Sequence, residues 1–141
     1  MKKNYWLTGI MIVMTVMSAA AQDHTIGEKF GGGIIFYIDS TGQHGLIAAM
    51  ADQKWANWPD AIRECTELRD GGFTDWRLPS KFELTQLNRN EDSIKADLNP
   101  SFYWSSTDQD SERAFAIAFI MDASGYLKKA DLYFVRAVRS F

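Results

Sequence analysis

The ten residues Gly71-Gly72-Phe73-Thr74-Asp75-Trp76-Arg77-Leu78-Pro79-Ser80 constrain this chain more than any other stretch. The two glycines follow an apolar-periodic segment, where a left-handed residue ends a helix at little steric cost. Trp76 and Leu78 are large apolar anchors, and Pro79 keeps Leu78 extended. Ser80 is placed to cap a new helix, and Glu83 three residues on completes the pattern of a capping box. The stretch predicts a helix–loop–helix joint pinned by one tryptophan.

Elements on either side follow from periodicity. Before the joint, Pro59 suits a first helical turn. Ala61, Ile62, Cys65 and Leu68 then line one face of a helix that ends near Arg69, with Arg63, Glu64 and Glu67 toward water. After the joint, a second helix is expected from Lys81 to Asn88, with Phe82, Leu84 and Leu87 as its apolar residues. Upstream, Gln22 to Lys29 is polar and reads as a loose arm. Ile34–Ile38 and Leu46–Met50 read as strands joined across Ser40-Thr41-Gly42-Gln43. Their continuous apolar character predicts at least one strand covered on both faces. Gly31-Gly32-Gly33 lacks the Gly-Lys-Ser/Thr ending of a phosphate loop. Close approach of another segment is the better account of these glycines.

Downstream, Asn90 to Pro100 is irregular, Phe102–Thr107 is a strand by composition, and Asp108–Glu112 is an acidic loop. In the strand expected from Arg113 to Met121, Phe115, Ile117 and Phe119 alternate with Ala114, Ala116 and Ala118. The alanine face should lie under something large, such as a tryptophan. Asp122–Gly125 reads as a turn, and Leu132–Arg139 as the last strand.

The N-terminus carries an address. Lys2 and Lys3, an apolar run from Tyr5 to Met17 and the small residues Ser18–Ala21 have the layout of a cleaved signal peptide over 1–21. The run is short for a membrane span, and no cysteine sits at the cleavage site to take a lipid. The domain is then 22–141, exported to the periplasm, the medium or the cell surface. Fifteen basic residues less Lys2 and Lys3 leave 13 against 18 acidic ones, a net of −5. Such a domain is a poor general binder of nucleic acid or anionic polymers. Cys65 stands alone, so no internal disulfide forms; it reads as a small buried apolar residue, with an intermolecular bridge as the sharper alternative.

Three blocks carry a resemblance: G-G-F-T-D-W-R-L-P-S with F-E-L-x-x-L after it, then Tyr103-Trp104-Ser105-Ser106-Thr107, then Tyr133-Phe134-Val135-Arg136-Ala137-Val138-Arg139. In that order they resemble the family of the C-terminal domain of the Legionella collagen-like adhesin. The resemblance implies a single α+β domain, C-type lectin-like, similar in fold to formylglycine-generating-enzyme domains, with two helices packed on small antiparallel sheets. It also implies that the terminal strands meet, Ile34–Ile38 pairing with Tyr133–Val138. Formylglycine-generating relatives use a pair of cysteines, which this chain does not have, so the fold does not carry that activity.

Chemistry-bearing patterns are few. The two histidines, His24 and His44, have no metal-ligand spacing, and there is no H-E-x-x-H, C-x-x-C or G-x-S-x-G. Asp108, Asp110 and Glu112 alternate in a loop and are the only calcium candidates; a solvated acidic loop is the plainer reading. Asp70 and Asp75 are expected to cap backbone N–H groups or pair with Arg77. Arg77 and Arg136 interrupt apolar segments, either as structural ion pairs or as a fork that grips a ligand's carboxylate or sulfate. Trp76 and Trp104 are expected in the core. Trp55 and Trp58, in a polar loop, are the candidates to stack on sugar rings. The expected function is a non-catalytic, adhesin-like module with no cofactor. It would bind an extracellular glycan or surface polymer through Trp55, Trp58, Arg77 and Arg136, the alternative being protein–protein or self-assembly.

Overall fold

Ile34, Ile35 and Phe36 are all buried, which a strand with one face in water cannot achieve. The computed structural model describes residues 22–94 and 97–141, and it supplies the two covers. The expected leader over 1–21 lies outside the described residues. Helix α1 (Trp58–Glu67) contributes Ala61 and Cys65 to a core that contains Trp76, Trp104, Ile35, Ile47 and Val135. Helix α2 (Lys81–Arg89) contributes Leu84 and Leu87 to a second core with Phe36, Tyr103, Phe119 and Val138. Alternate residues of one strand therefore feed two cores.

Two antiparallel sheets lie between these covers. The first runs β1 (Lys29–Phe30), β2 (Gly33–Ile38), β3 (Gly45–Ala49) and β7 (Val138–Ser140), in the order β1-β2-β3-β7. The second is β4 (Phe102–Asp108), β5 (Arg113–Ala118) and β6 (Ala123–Lys128), in that order. The expected α+β class holds. The bulky and small faces of β5 separate as anticipated: Ala114 and Ala116 join the core of Trp76 and Trp104, while Phe115 and Ile117 join the other.

The close-approach reading of the glycines is borne out at Gly33. A Cβ there would stand 2.0 Å from the Ala48 carbonyl oxygen. Gly32 and Gly71 press backbone against backbone, a Cβ on Gly71 falling 2.7 Å from the Gly32 Cα.

Several expectations need correction. The last strand pairs with β3, through Leu46↔Ser140, Ile47↔Arg139 and Ala48↔Val138, and not with Ile34–Ile38. β2 already has β1 and β3 as neighbours, so no edge is free for it. Of the expected Leu132–Arg139 strand only Val138 and Arg139 are regular, in a strand that runs on to Ser140; Tyr133 and Phe134 make isolated bridges to Ala56 and Tyr103. Ala123–Lys128 is a strand, and the reversal comes earlier, with Ile120 and Asp122 at positive φ. The arm before Lys29 is docked: Gly27 donates to Ile35 at 2.8 Å, and His24 packs against Phe30 and Phe141. Gly71 and Gly72 do have φ of 66° and 80°, but α1 has already ended at Glu67 and they form a 3-10 turn beyond it. Phe82 is 55 % exposed instead of contributing to the core.

The joint itself is as expected. The Trp76 indole donates to the Asp70 carbonyl at 3.0 Å, and the equally buried Trp104 indole donates to Ala56 at 2.9 Å. Each thereby satisfies its one polar atom. Ser80 caps α2 by accepting from the Glu83 N–H at 3.2 Å.

Candidate functional site

Trp76 and Leu78 turn into the core, so Arg77 between them faces the other way. Its backbone is fixed by a reciprocal pair of 2.9 Å hydrogen bonds with Val138. The guanidinium pairs with Glu83 and donates to the Ser140 hydroxyl at 3.1 Å. Glu83 thus completes only half of the capping box; its carboxylate is taken by Arg77.

Arg77 stands on one wall of an open groove of about 470 Å³. Tyr37 and Phe82 line it as an edge-to-face pair, ring centres 5.7 Å apart. A shift of register between Ile35 and Tyr37 on β2 marks a bulge, which re-aims the end of the strand. Asp39 and His44, at the two ends of the β2–β3 turn, join the lining with Phe141. Thr41 donates to Asp39 from its hydroxyl at 2.6 Å and its N–H at 3.0 Å. The hydroxyl is the leading cause that holds the Asp39 carboxyl below its ordinary range. The groove therefore combines aromatic surface, a carboxylate and a half-exposed guanidinium, within the size range of small-ligand sites. A hollow of about 620 Å³ lies between the N-terminal arm and Ser93–Ile94, but the Glu28 carboxylate there is already bonded to His24 and Thr25.

Of the residues expected from sequence, the groove takes only Arg77. Arg136 is 1 % exposed. Its Nε donates to Asp52 at 2.6 Å, and Nη1 and Nη2 donate to the Ala49 and Asp97 carbonyls at 2.9 Å each. It is a structural tie, with no face left for a ligand. The Trp58 indole donates to the Ser105 carbonyl at 2.8 Å and lies under Lys129, whose Nζ is 4.2 Å from the ring centre. Trp55 is 62 % exposed and packs edge-on against Phe134, away from the groove lining.

Asp75 pairs with Arg139, not with Arg77, and that hydrogen bond is the leading cause lowering its carboxyl's pKa. Among the described residues, no three histidine, cysteine or carboxylate side chains gather where they could hold a metal ion. In the acidic loop, Asp108 pairs with Lys129 and Asp110 accepts from the N–H groups of Glu112 and Arg113. Sequence reasoning missed Tyr37, Phe82 and His44 as site residues. The one available signal was Phe82 itself, a phenylalanine in the first turn of a helix whose inward positions were already filled by Leu84 and Leu87.

Residues 21–139 match the family described as the Lcl C-terminal domain. The chain belongs to that family. Its membership points to a surface-adhesin-related domain. No curated protein matches the chain. Among the described residues, no helix is long and apolar enough to cross a membrane.

Proposed function

We propose that this Lcl C-terminal domain is an exported, non-catalytic, adhesin-like module that binds a glycan or another surface polymer through the Tyr37–Phe82–Arg77 groove. The observation that carries this reading is the aromatic pair, Phe82 exposed and Tyr37 partly buried, set beside a polar wall. Aromatic faces take the apolar side of a pyranose ring, while nearby donors and acceptors hold its hydroxyls. The state of Cys65 and Ser105 supports a non-catalytic role. Burial pushes the Cys65 thiol up to about 12. Ser105 is buried, and its hydroxyl donates to the Phe115 carbonyl at 2.7 Å.

The test is a glycan array probed with the purified exported protein, with calcium and with chelator. Binding that survives chelation and falls at least tenfold in Phe82→Ala or Arg77→Ala is the expected result. Binding no better than that of a control protein of similar charge overturns the reading.

Self-assembly or protein binding is the second reading, and Trp55 favours it. Trp55 and Leu132, 62 % and 57 % exposed, flank the bridge between Ala56 and Tyr133. Light scattering at high concentration tests it, and a monomer removes the self-assembly version.

A further inference from the structure

Resting on the glycan reading, we infer that the groove selects an uncharged sugar and excludes sulfated or carboxylated ones, with Asp39 and Glu83 as the residues that discriminate. A guanidinium on a groove wall ordinarily suggests an anion clamp. Here that role is already filled from within the chain. Arg77 is paired with the Glu83 carboxylate and also donates to the Ser140 hydroxyl. The Glu83 side chain is only 15 % exposed and stands in the first turn of α2. A sulfate approaching Arg77 must displace or face that carboxylate.

Asp39 adds a second fixed negative charge at the rim. Its Oδ1 is occupied by Thr41, and its carboxyl is held anionic by those bonds. Two carboxylates, Asp39 and Glu83, and one guanidinium line the groove. The expected mature chain reinforces that sign, with its net of −5.

A neutral sugar meets none of these penalties. Its hydroxyls donate to carboxylate oxygens in charge-assisted bonds, and its C–H face covers the Tyr37–Phe82 pair. Rejection of an anionic analogue then comes from like-charge contact, a discrimination by repulsion as much as by attraction. Phe82 is 55 % exposed, so it can be changed without opening the core.

The experiment is an array that carries the same polysaccharide backbones unsubstituted and sulfated, probed with the purified exported protein. Unsubstituted forms should bind at least tenfold better than their sulfated partners, and Phe82→Ala should abolish that binding. Glu83→Gln removes the carboxylate and keeps the N–H that Ser80 caps. It should narrow the preference by about tenfold, equivalent to ~1.4 kcal/mol. Stronger binding of sulfated forms, lost in Arg77→Ala, overturns the inference and leaves the glycan reading standing. Neutral-sugar binding that is indifferent to Phe82→Ala and Asp39→Asn overturns the inference together with the assignment of the groove. Binding to neither form overturns both.

Discussion

Replacing Arg136 by methionine separates a structural tie from a ligand clamp. The substitution keeps an unbranched apolar stem and removes three donors. It leaves the Asp52 carboxylate, whose side chain is 13 % exposed, without its counter-charge, although the Tyr103 hydroxyl at 2.7 Å and the Asn99 amide at 2.9 Å remain on it. The Ala49 and Asp97 carbonyls also lose their donor. Breaking a buried pair from one side costs about 3–5 kcal/mol, and at roughly 4 °C per kcal/mol for a domain of this size the melting midpoint should fall by about 12–20 °C. Circular dichroism melts of the wild type, Arg136→Met, Asp52→Asn and the double variant measure it. The double variant should be less damaged than the two single losses added together, by about 1–3 kcal/mol, because the second change removes a charge the first left stranded. A fall of less than about 4 °C in Arg136→Met, roughly 1 kcal/mol, refutes the structural account.

Three further outcomes follow from other contacts. Ser80→Ala removes the α2 cap and should cost about 1 kcal/mol in denaturant unfolding, with no change in m-value. Gly33→Ala drives a Cβ toward the Ala48 oxygen and should cost at least about 1–3 kcal/mol; Gly125→Ala, which meets nothing within 4 Å, should cost nothing in the same melt. The Cys65 thiol, raised from 9.0 to about 12 by burial, should resist iodoacetamide at neutral pH until denaturant is added. Because its folded value lies above the unfolded one, its contribution to stability is intact below about pH 9 and is lost as pH climbs toward 12. Cys65→Ala should therefore flatten the start of the alkaline fall in melting midpoint, and an unchanged profile would count against that assignment.

The fold was legible where a local rule and a long-range one agree. The Trp76 joint, the Ser80 cap, both main helices and the two-sided burial of β2 all follow from period and cap chemistry. Partner choice among strands was not legible. Nothing local in Val138-Arg139-Ser140 says whether β2 or β3 receives it; the answer depends on Lys29–Phe30 having occupied the other edge of β2. The same limit governs the site. Arg136 interrupts an apolar run just as Arg77 does, yet one is sealed by Asp52 and two carbonyls while the other opens onto a groove. The two carboxylates are about equally shielded, Asp52 13 % and Glu83 15 % exposed, while the arginine side chains are 0 % and 41 % exposed; the pairing spans 84 residues in the first case and 6 in the second. The groove aromatics were missed because each looked like ordinary filling for the element that carries it.

The docking of β7 onto β3 has a consequence for timing. Tyr37 and Ser140 come from opposite ends of the described chain, and the strand order seats them in one groove. The groove is therefore complete only once the last strand has paired. A ligand held there clamps the seam on which the final strand closes. It should raise the apparent melting midpoint in step with its occupancy.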